Sequence, residues 1–403
     1  MVSDYLRADQ LHCPEKFHPL HAFVCDQCHL AQLPDSETPE HMFGNYPYFS
    51  SVSKSWLAHA RRFVQMAVQM FALTSAHQVV EVASNDGYLL QYFKEHKVAI
   101  HGVEPARNIA AVAEAKGIPT TSKFFGLETA RELRDAGKSA DLLIGNNVYA
   151  HVPDINDFTA GLAHLLKPHG VISLEFPHLL RTMQENQFDQ IFHEHASYLS
   201  LVTVERIFAA QGLTVFDVDE LPTHGGSIRI FGKHSDDSSH PETPSVAQLR
   251  AREQTYGLER SETYDAFGQQ VRTTKYRLLS LLIDAKQSGA SIVGYGAPGK
   301  GCVMLNYCGI RSEFLDYLVD LSPAKQGLYM PGVHLAIHHP DQIKETKPDY
   351  VLILPWNLRD EIMSQLSYIS EWGGKFIVPI PEARVVEVTP SAAHTAQSST
   401  FHA

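Results

Sequence analysis

The chain has 403 residues and a formal net charge of −12, with 44% hydrophobic and 19% charged residues. This length predicts two or three domains, and the composition is ordinary for a globular protein. The negative charge makes nucleic acid an unfavourable partner, because its phosphates would be repelled. No apolar run reaches the ~18 residues of a membrane span, and we find no charged-then-apolar leader, so we predict a cytoplasmic protein without membrane partners.

The first 40 residues contain Cys25 and Cys28 in a C-x-x-C knuckle. One knuckle supplies two ligands, whereas a structural zinc site needs four. Cys13 is a candidate third ligand and a nearby histidine a fourth, but the sequence holds no second C-x-x-C. We therefore predict a partial zinc-ribbon-like segment, in which Cys25 and Cys28 either hold zinc or remain free thiols.

Residues 79–104 predict a nucleotide-binding unit. A β-branched run at 79–82 is typical of a buried strand, and the turn at 84–87 ends in Gly87, which can adopt positive φ. A helix is predicted over 88–95 and a second strand over 99–103, ending in Glu104. This order is that of a doubly wound fold, with an acidic residue placed to accept ribose hydroxyls.

The turn of this unit differs from a dinucleotide fingerprint. It has one glycine where G-x-G-x-x-G has three, so a pyrophosphate would lack its backbone cradle. Glu81 ends the first strand and Asp86 lies in the turn. Two acids repel a pyrophosphate and favour a cationic ligand, so we predict S-adenosylmethionine, which carries a sulfonium and an amino group.

The next stretch of the chain holds the candidate acid–base groups. A strand at 141–146 is followed by His151, and ligands of open α/β sheets bind at such strand ends. A helix at 156–167 and a strand at 171–176 lead to His193, Glu194 and His195. Neighbouring residues point in different directions, so these three make a poor metal site, and we favour a histidine base oriented by a carboxylate.

The C-terminal third predicts a second Rossmann-like domain. A polar boundary at 234–245 precedes a helical region at 246–288, and Gly294, Gly296 and Gly299 then form a literal G-x-G-x-x-G between a strand and a helix. With Asp320 ending the next strand, this turn is predicted to bind NAD, to bind the diphosphate of a nucleotide sugar, or to be only a tight turn. Further strands are predicted at 350–354 and 375–378.

Taken in order, the motifs resemble the adenosylmethionine-dependent C-methyltransferases of deoxysugar biosynthesis. The resemblance covers about residues 20–385 and rests on these stretches: C-x-x-C with LAQL, F-x-x-Y-x-Y-x-S-S, E-V-A-S-N-D-G, G-V-E-P, N-N-V-x-A-H-V, H-E-H-x-S-Y, H-G-G-S-I-R, G-Y-G-A-P-x-K-G, and K-Q-G with P-G. Each motif alone is weak, but the ordered set is specific.

The resemblance implies an α/β protein with a class I methyltransferase Rossmann-like domain, a second C-terminal Rossmann-like domain and a small partial zinc-ribbon-like N-terminal segment. We assign residues 1–40 to the partial ribbon, 41–240 to the methyltransferase domain, 241–388 to the C-terminal domain, which would bind the nucleotide sugar, and 389–403 to a disordered tail. The implied substrate is a dTDP-linked 4-keto-6-deoxysugar, and we expect a monomer or a homodimer.

The same resemblance implies roles for individual residues. His195 matches the base, with Glu194 beside it, and His151 and Tyr46 match further active-site positions. The methyl-donor site is expected at Ala83, Ser84, Asn85, Asp86, Gly87, Glu104 and Asn146, and the sugar-nucleotide site at Phe192, His224, Gly225 and Lys300. Cys25 and Cys28 are the metal candidates.

Two departures from the family pattern qualify these expectations. The family has an earlier C-x-x-C that this chain begins too late to contain, and Phe192 stands where the family often has tyrosine. Three other functions therefore stay open: an O- or N-methyltransferase on a related sugar or small metabolite, an NAD-dependent sugar oxidoreductase, and a non-catalytic sugar-nucleotide-binding protein.

Overall fold

A computed structural model describes residues 2, 4–46 and 48–387; the predicted tail at 389–403 lies outside them. The chain forms two compact units. The seven-stranded unit comprises Pro19–Gln184 and His193–Ala266, and the six-stranded unit comprises Met1–His18, Glu185–Phe192 and Phe267–Ala403. Within the described part of the chain, no helix is both long and apolar enough to cross a membrane.

In the described residues of the seven-stranded unit, the chain forms its first ten strands and nine α-helices. The strands are β1 Phe23–Val24, β2 Ala31–Gln32, β3 Gln78–Val82, β4 Ala99–Val103, β5 Thr120–Thr121, β6 Ala140–Asn146, β7 Leu166–Pro177, β8 Ser197–Tyr198, β9 Leu213–Leu221 and β10 Ser227–His234. The helices are α1 Pro39–Phe43, α2 Lys54–Met70, α3 Leu90–Glu95, α4 Arg107–Ala115, α5 Leu127–Asp135, α6 Ile155–Leu165, α7 Leu179–Gln184, α8 Leu201–Ala210 and α9 Pro244–Tyr256.

The main sheet of this unit has the strand order β5-β4-β3-β6-β7-β10-β9. The strands from β5 to β7 are parallel, whereas β10 runs antiparallel to both β7 and β9. The carboxyl ends of β3, β4, β6 and β7 therefore meet at one edge, which we call the carboxyl edge. The turn between β9 and β10 lies at the same edge.

Alternation along the strands places the core on both faces of this sheet. In β3, Val79 packs into one buried cluster while Val80 and Val82 pack into another. In β6, Leu142 joins the first cluster and Leu143 the second. Two covered faces require the near-continuous apolar strands that the sequence shows, and they confirm the α/β prediction.

A small antiparallel sheet of the same unit has the order β1-β2-β8. Its first two strands are the arms of the hairpin that carries Cys25 and Cys28. Ala31 and Gln32 of β2 pair with Tyr198 and Ser197 of β8. The N-terminal hairpin is thereby fixed directly beside the segment that carries His195.

The six-stranded unit is a second Rossmann-like α/β fold with the strand order β13-β12-β11-β14-β15-β16. Its strands are β11 Ile292–Tyr295, β12 Leu318–Val319, β13 Ile337–His338, β14 Tyr350–Ile353, β15 Lys375–Val378 and β16 Arg384–Val386, and its helices are α11 Gly299–Cys308, α12 Gln342–Thr346 and α13 Arg359–Gln365. Only β16 is antiparallel to its neighbour. Helix α10, Ser261–Gln287, begins in the seven-stranded unit and continues into this one.

The two units have their boundaries near residues 18, 184, 192 and 266. Residues 4–18 pack with the six-stranded unit, where Leu6 pairs with Tyr329. Helix α9 stays with the seven-stranded unit because the carboxylate of Glu253 accepts hydrogen bonds from the backbone N–H groups of Leu201 and Val202 at the start of α8. Hydrophobic periodicity cannot reveal such tertiary contacts.

Candidate active site

The loop after β3 has an unusual backbone. Ala83 and Asn85 adopt left-handed φ values of 55° and 49°, and Gly87 has a φ of 76°. A Cβ atom on Gly87 would lie 2.1 Å from Cδ1 of Ile118, so only glycine fits there. Two non-glycine residues in the left-handed region cost free energy, and such strain is characteristic of ligand sites.

Glu104 closes this loop at the end of β4. One carboxylate oxygen accepts the N–H of Asn85 at 3.0 Å, and the other accepts the N–H of Ala106 at 2.9 Å. Burial raises the pKa of Glu104, and these two hydrogen bonds oppose that shift. A carboxylate has about four acceptor sites, so further lone pairs of Glu104 remain to receive ribose hydroxyls.

The aromatic segment before α2 covers the same loop. The Asn85 side chain accepts the N–H of Ser50 at 2.9 Å and donates to the carbonyl of Tyr48 at 3.1 Å. The hydroxyl of Ser51 donates to the carboxylate of Asp86. Lys116, which the sequence analysis did not single out, pairs with Asp86 at 3.0 Å. The segment therefore forms a wall on the loop.

Several buried side-chain oxygens around this loop lack a hydrogen-bond partner among the described residues. They belong to Glu81, Ser84, Asp86, Asn146 and Asn147, all at the carboxyl ends of β3 and β6. Unsatisfied buried acceptors are rare in native proteins and mark a missing donor. S-adenosylmethionine carries an ammonium group, ribose hydroxyls and an adenine amino group, so its donors fit this set.

Glu81 adds an electrostatic argument for a cationic ligand. Its side chain is fully buried, and burial, followed by the charges of Glu104 and Asp86, raises its pKa well above the ordinary value. A positive group bound beside these acids would stabilise the ionised carboxyl. The predicted preference for a cation thus agrees with the burial of the residues.

The structure brings the four predicted catalytic residues together. His151 Nδ1 lies 2.6 Å from the backbone carbonyl of Glu194, and the Tyr46 hydroxyl donates to the Glu194 carboxylate at 3.4 Å. The rings of His151 and His195 have centroids 4.7 Å apart. His151 follows β6 and His195 precedes β8, so the cluster is a tertiary arrangement at the carboxyl edge.

The protonation state of His151 follows from its surroundings. A carbonyl oxygen only accepts hydrogen bonds, so Nδ1 of His151 carries the proton and Nε2 is free of one when the ring is neutral. Burial lowers the pKa of His151 to about 4, against the opposing hydrogen bond to Glu194. Burial and then the charge of Glu194 raise the pKa of Tyr46. Both residues are thus neutral at pH 7.

A buried charged cluster at the end of β7 was not predicted. Glu175 is fully buried; its carboxylate is 2.8 Å from His59 Nε2, accepts the Thr223 hydroxyl at 2.9 Å and pairs with Arg229. Burial alone would raise the pKa of Glu175, but the hydrogen bond from His59 and the charge of Arg229 hold it below its ordinary value. In the sequence, Arg229 is the last residue of the motif H-G-G-S-I-R. Its partner Glu175 lies on another strand, so the motif alone does not indicate the ion pair.

His224 and Gly225 belong to the short helical turn Thr223–Gly225 between β9 and β10. His224 has a left-handed φ of 55°. Its Nε2 atom is 3.2 Å from the side-chain amide of Asn147, and its ring centroid is 5.4 Å from that of Trp56. The turn is thus joined to the loop after β6 at the carboxyl edge.

Phe192 and Lys300 belong to the six-stranded unit. Lys300 lies in the first turn of α11, with Nζ 4.7 Å from the centroid of the Trp356 ring, and burial lowers its pKa. Trp356 donates its indole N–H to Asp189 at 2.7 Å. Burial raises the pKa of Asp189 to about 7, although the charge of Lys300 opposes this.

The glycine-rich loop of the six-stranded unit is already occupied by protein contacts. Asp320, which follows β12, accepts the N–H groups of Ala297 at 2.7 Å and Ser322 at 2.8 Å. A Cβ atom on Gly299 would lie 3.1 Å from the side chain of Val2. These contacts favour a structural turn over a dinucleotide cradle.

The C-x-x-C knuckle forms a tight turn between β1 and β2, in which the N–H of His29 donates to the carbonyl of Cys25 at 3.0 Å. Hydrogen bonds from the Cys28 and Gln27 backbone lower the pKa of Cys25, whereas burial raises that of Cys28. Across the residues that the structure covers, no group of three or more metal-ligating side chains is assembled. Two thiols are short of the four ligands of structural zinc, so the described residues do not fit a zinc site.

Comparison with known families accounts for most of the chain. The model "Methyltransferase domain" matches residues 56–218, and "C-methyltransferase C-terminal domain" matches residues 222–381. A model described as "Putative zinc binding domain" matches residues 1–43.

Individual relatives agree with these matches. C-methyltransferase NovU from Streptomyces niveus is 37% identical over 372 residues, covering 92% of this chain and 88% of NovU. The ubiquinone biosynthesis O-methyltransferase of Rhizobium etli (strain CIAT 652) is 25% identical over 156 residues, covering 35% of this chain and 61% of that protein. Among solved structures, magnesium protoporphyrin IX methyltransferase from Synechocystis PCC 6803 with bound SAH shares 15% identity at a TM-score of 0.36, covering 44% of this chain and 83% of that one.

The strand order, the loop at the end of β3 and the family match together define a class I adenosylmethionine-dependent methyltransferase. Within that class, the chain belongs to the C-methyltransferase family that includes NovU. It is therefore an adenosylmethionine-dependent C-methyltransferase. The other functions left open by the sequence, O- or N-methylation, NAD-dependent oxidation and non-catalytic binding, are not supported.

Proposed function

We propose that this C-methyltransferase acts on a nucleotide-linked keto-deoxysugar and methylates the carbon next to the keto group. The observation that carries the proposal is the cluster of Tyr46, His151, Glu194 and His195 at the carboxyl edge. A carbon acid beside a ketone needs a base to remove its proton and neutral donors to stabilise the enolate oxygen. The cluster offers an imidazole base and a protonated tyrosine.

In this mechanism His195 removes the proton from the carbon next to the ketone and holds it on its imidazole ring. Because His151 is neutral, a protonated His195 meets no second positive charge from that ring. The carboxylate of Glu194 orients the catalytic segment and accepts from Tyr46. With substrate bound, the hydroxyl of Tyr46 would turn its single proton from Glu194 to the enolate oxygen and stabilise the negative charge there. Neutral His151 would not donate, because its only proton is on Nδ1 and faces the Glu194 carbonyl.

The methyl donor would be held by the loop 83–87 with Glu104 and Asn146, where the unpaired acceptors lie. When bound, S-adenosylmethionine supplies an electrophilic methyl group. The chain's own contribution is to place the enolate carbon in line with that methyl group, and such positioning supplies much of the rate. Nucleophile and donor are then aligned at one edge of one sheet.

The nucleotide part of the substrate is assigned to Lys300 of the six-stranded unit. Lys300, a half-buried lysine in the first turn of α11, combines a positive charge with the N-terminus of a helix, and both favour phosphate. The backbone of the glycine loop is less suited, because Asp320 already engages it.

The experiment that tests this function uses methyl-¹³C-labelled S-adenosylmethionine and a panel of dTDP-linked 4-keto-6-deoxysugars. NMR of the product reports the atom that carries the label, because carbon-bound and oxygen-bound methyl groups have separate chemical shifts. We expect a methyl group on the carbon next to the ketone. No labelled product with any keto-sugar of the panel would contradict the proposed substrate class.

A further inference from the structure

The carboxylate of Glu175 is the point where three elements of the carboxyl edge are joined. It binds His59 of α2 and Thr223 of the turn between β9 and β10, and its backbone carbonyl accepts the N–H of Asn147 from the loop after β6 at 2.7 Å. Its ion-pair partner Arg229 stands directly opposite on β10 in the strand register. Glu175 thus contacts the turn that carries His224, the helix that carries Trp56, and the loop that carries Asn147.

A buried ion pair is a weak reason for stability. Replacing such a pair with apolar residues of similar size is often neutral or stabilising, and the opposing pair next along these strands, Phe176 with Ile228, is apolar. What Glu175 adds beyond an apolar residue is a hydrogen-bonding partner for two elements, the ring of His59 on α2 and the hydroxyl of Thr223 in the turn between β9 and β10. We therefore expect the Glu175 carboxylate to serve mainly to fix the turn that contains Thr223.

That turn carries a strained residue. His224 and Asn147 both have left-handed φ values, 55° and 52°, and their side chains meet at 3.2 Å. Trp56 approaches the His224 ring and stacks on His59 at 4.9 Å. Strained residues persist only where their surroundings over-determine them, and here the surrounding contacts converge on Glu175.

We propose that Glu175 is a positioning residue for the acceptor site and acts through Thr223 to hold His224 against the sugar. The imidazole of His224 would hydrogen-bond a hydroxyl or keto oxygen of the sugar ring. This inference rests on the proposed function, because it assigns the acceptor end of the same site. It concerns recognition of the acceptor and leaves proton removal to His195.

The test uses Thr223→Val, which removes the hydroxyl and keeps the shape, with Thr223→Ser as its matched control. Glu175→Gln is unsuited as the main variant, because it leaves Arg229 buried without its charge partner. We expect Thr223→Val to raise the KM for the keto-sugar nucleotide about tenfold, as the loss of one hydrogen bond allows. The kcat and the Kd for S-adenosylmethionine should stay within about twofold, and Thr223→Ser should restore the KM.

A double-mutant cycle separates positioning from general stability. In a His224→Ala background, Thr223→Val should change KM by less than about twofold, because the residue that the turn positions is gone. An unchanged KM in Thr223→Val, or an equal effect in both backgrounds, would overturn this inference while leaving the proposed function intact. A wild-type enzyme that methylates no keto-sugar nucleotide would overturn both.

Discussion

The rings of His151 and His195 lie 4.7 Å apart with their planes at 78°. This relationship joins the end of β6 to the start of β8 and places two imidazoles where the methyl acceptor is expected. His151 is held neutral by burial, so its neighbour can take up a proton without repulsion between like charges. We therefore propose that His151 stays neutral while His195 takes up the proton.

Glu104→Gln should weaken binding of the methyl donor. Both carboxylate oxygens accept backbone N–H groups, from Asn85 and Ala106, and an amide group would present its own N–H to one of these donors. We expect the Kd for S-adenosylmethionine to rise by roughly tenfold to a hundredfold, the range for one charge-assisted hydrogen bond. Calorimetric titration measures it, with Glu114→Gln on the exposed face of α4 as the control. An unchanged Kd would remove Glu104 from the donor site.

Gly87→Ala should unfold more easily than Gly137→Ala. Both glycines have positive φ, 76° and 72°, so both substitutions carry a backbone strain of about 1 kcal/mol. Only at Gly87 does the new Cβ meet a neighbour, Cδ1 of Ile118 at 2.1 Å, whereas nothing lies within 4 Å at Gly137. Urea denaturation should show an extra loss of about 1–3 kcal/mol for Gly87→Ala.

Adding Ile118→Val to that variant provides a check, because valine lacks the Cδ1 atom. The double variant should recover part of the lost stability, although Ile118→Val alone costs about 1 kcal/mol. Additive losses in the double variant would contradict the steric explanation.

His151 should make the protein less stable in mild acid. Its pKa is about 4 in the folded protein and about 6.5 when unfolded, so between these values the unfolded chain binds more protons. The stability from the neutral ring is full above pH ~6.5 and is lost as the pH falls toward 4. Wild type should lose at most roughly 2 kcal/mol between pH 7.5 and 5, because that interval covers most of the gap between the two pKa values.

Urea denaturation at the two pH values measures this effect. His151→Asn should lose less stability than wild type over that interval, while His96→Gln at an exposed helix end should behave as wild type. Equal pH dependence of wild type and His151→Asn would show that His151 is not held neutral.

Asp189 of the six-stranded unit should make the protein less stable as the pH rises, which is the opposite of the effect of His151. Its pKa is about 7 in the folded protein against about 3.9 when unfolded, so the folded protein binds the proton more tightly. The stability from the protonated carboxyl is full below pH ~3.9 and is lost as the pH rises toward 7. Asp189→Asn, whose amide oxygen can still accept from Trp356, should be more stable than wild type at pH 8, with Asp360→Asn as the exposed control. A less stable Asp189→Asn at that pH would contradict a neutral Asp189.

The residues proposed for the methyl-donor side could be grouped from the sequence because they are local. Glu81, Ser84, Asn85 and Asp86 surround one turn, and Glu104 follows the next strand, so the strand–turn–helix pattern places them together. The rings of His151 and His195 are neighbours in the structure, and among the sequence arguments only the family resemblance grouped these two residues. Nothing in the spacing of the two histidines fixes it.

The cluster around Glu175 could not be predicted either, because the spacing of its residues in the sequence does not show that they meet. Its partners His59 and Arg229 lie on α2 and β10, and they meet Glu175 only through the antiparallel register of β10 against β7. Register depends on the packing of whole strands. The assignment of residues 185–192 to the six-stranded unit is likewise tertiary, since Asn186 donates to Thr274 at 2.6 Å far along the chain.

The most direct test of the mechanism follows the proton and not the methyl group. Wild type and His195→Asn are incubated in D₂O with the keto-sugar nucleotide and S-adenosylhomocysteine, which fills the donor site without methyl transfer. We predict that wild type exchanges the proton next to the ketone, and that His195→Asn exchanges it at least ~100-fold more slowly, as loss of a general base requires, while binding both ligands normally. Undiminished exchange in His195→Asn would show that another group is the base.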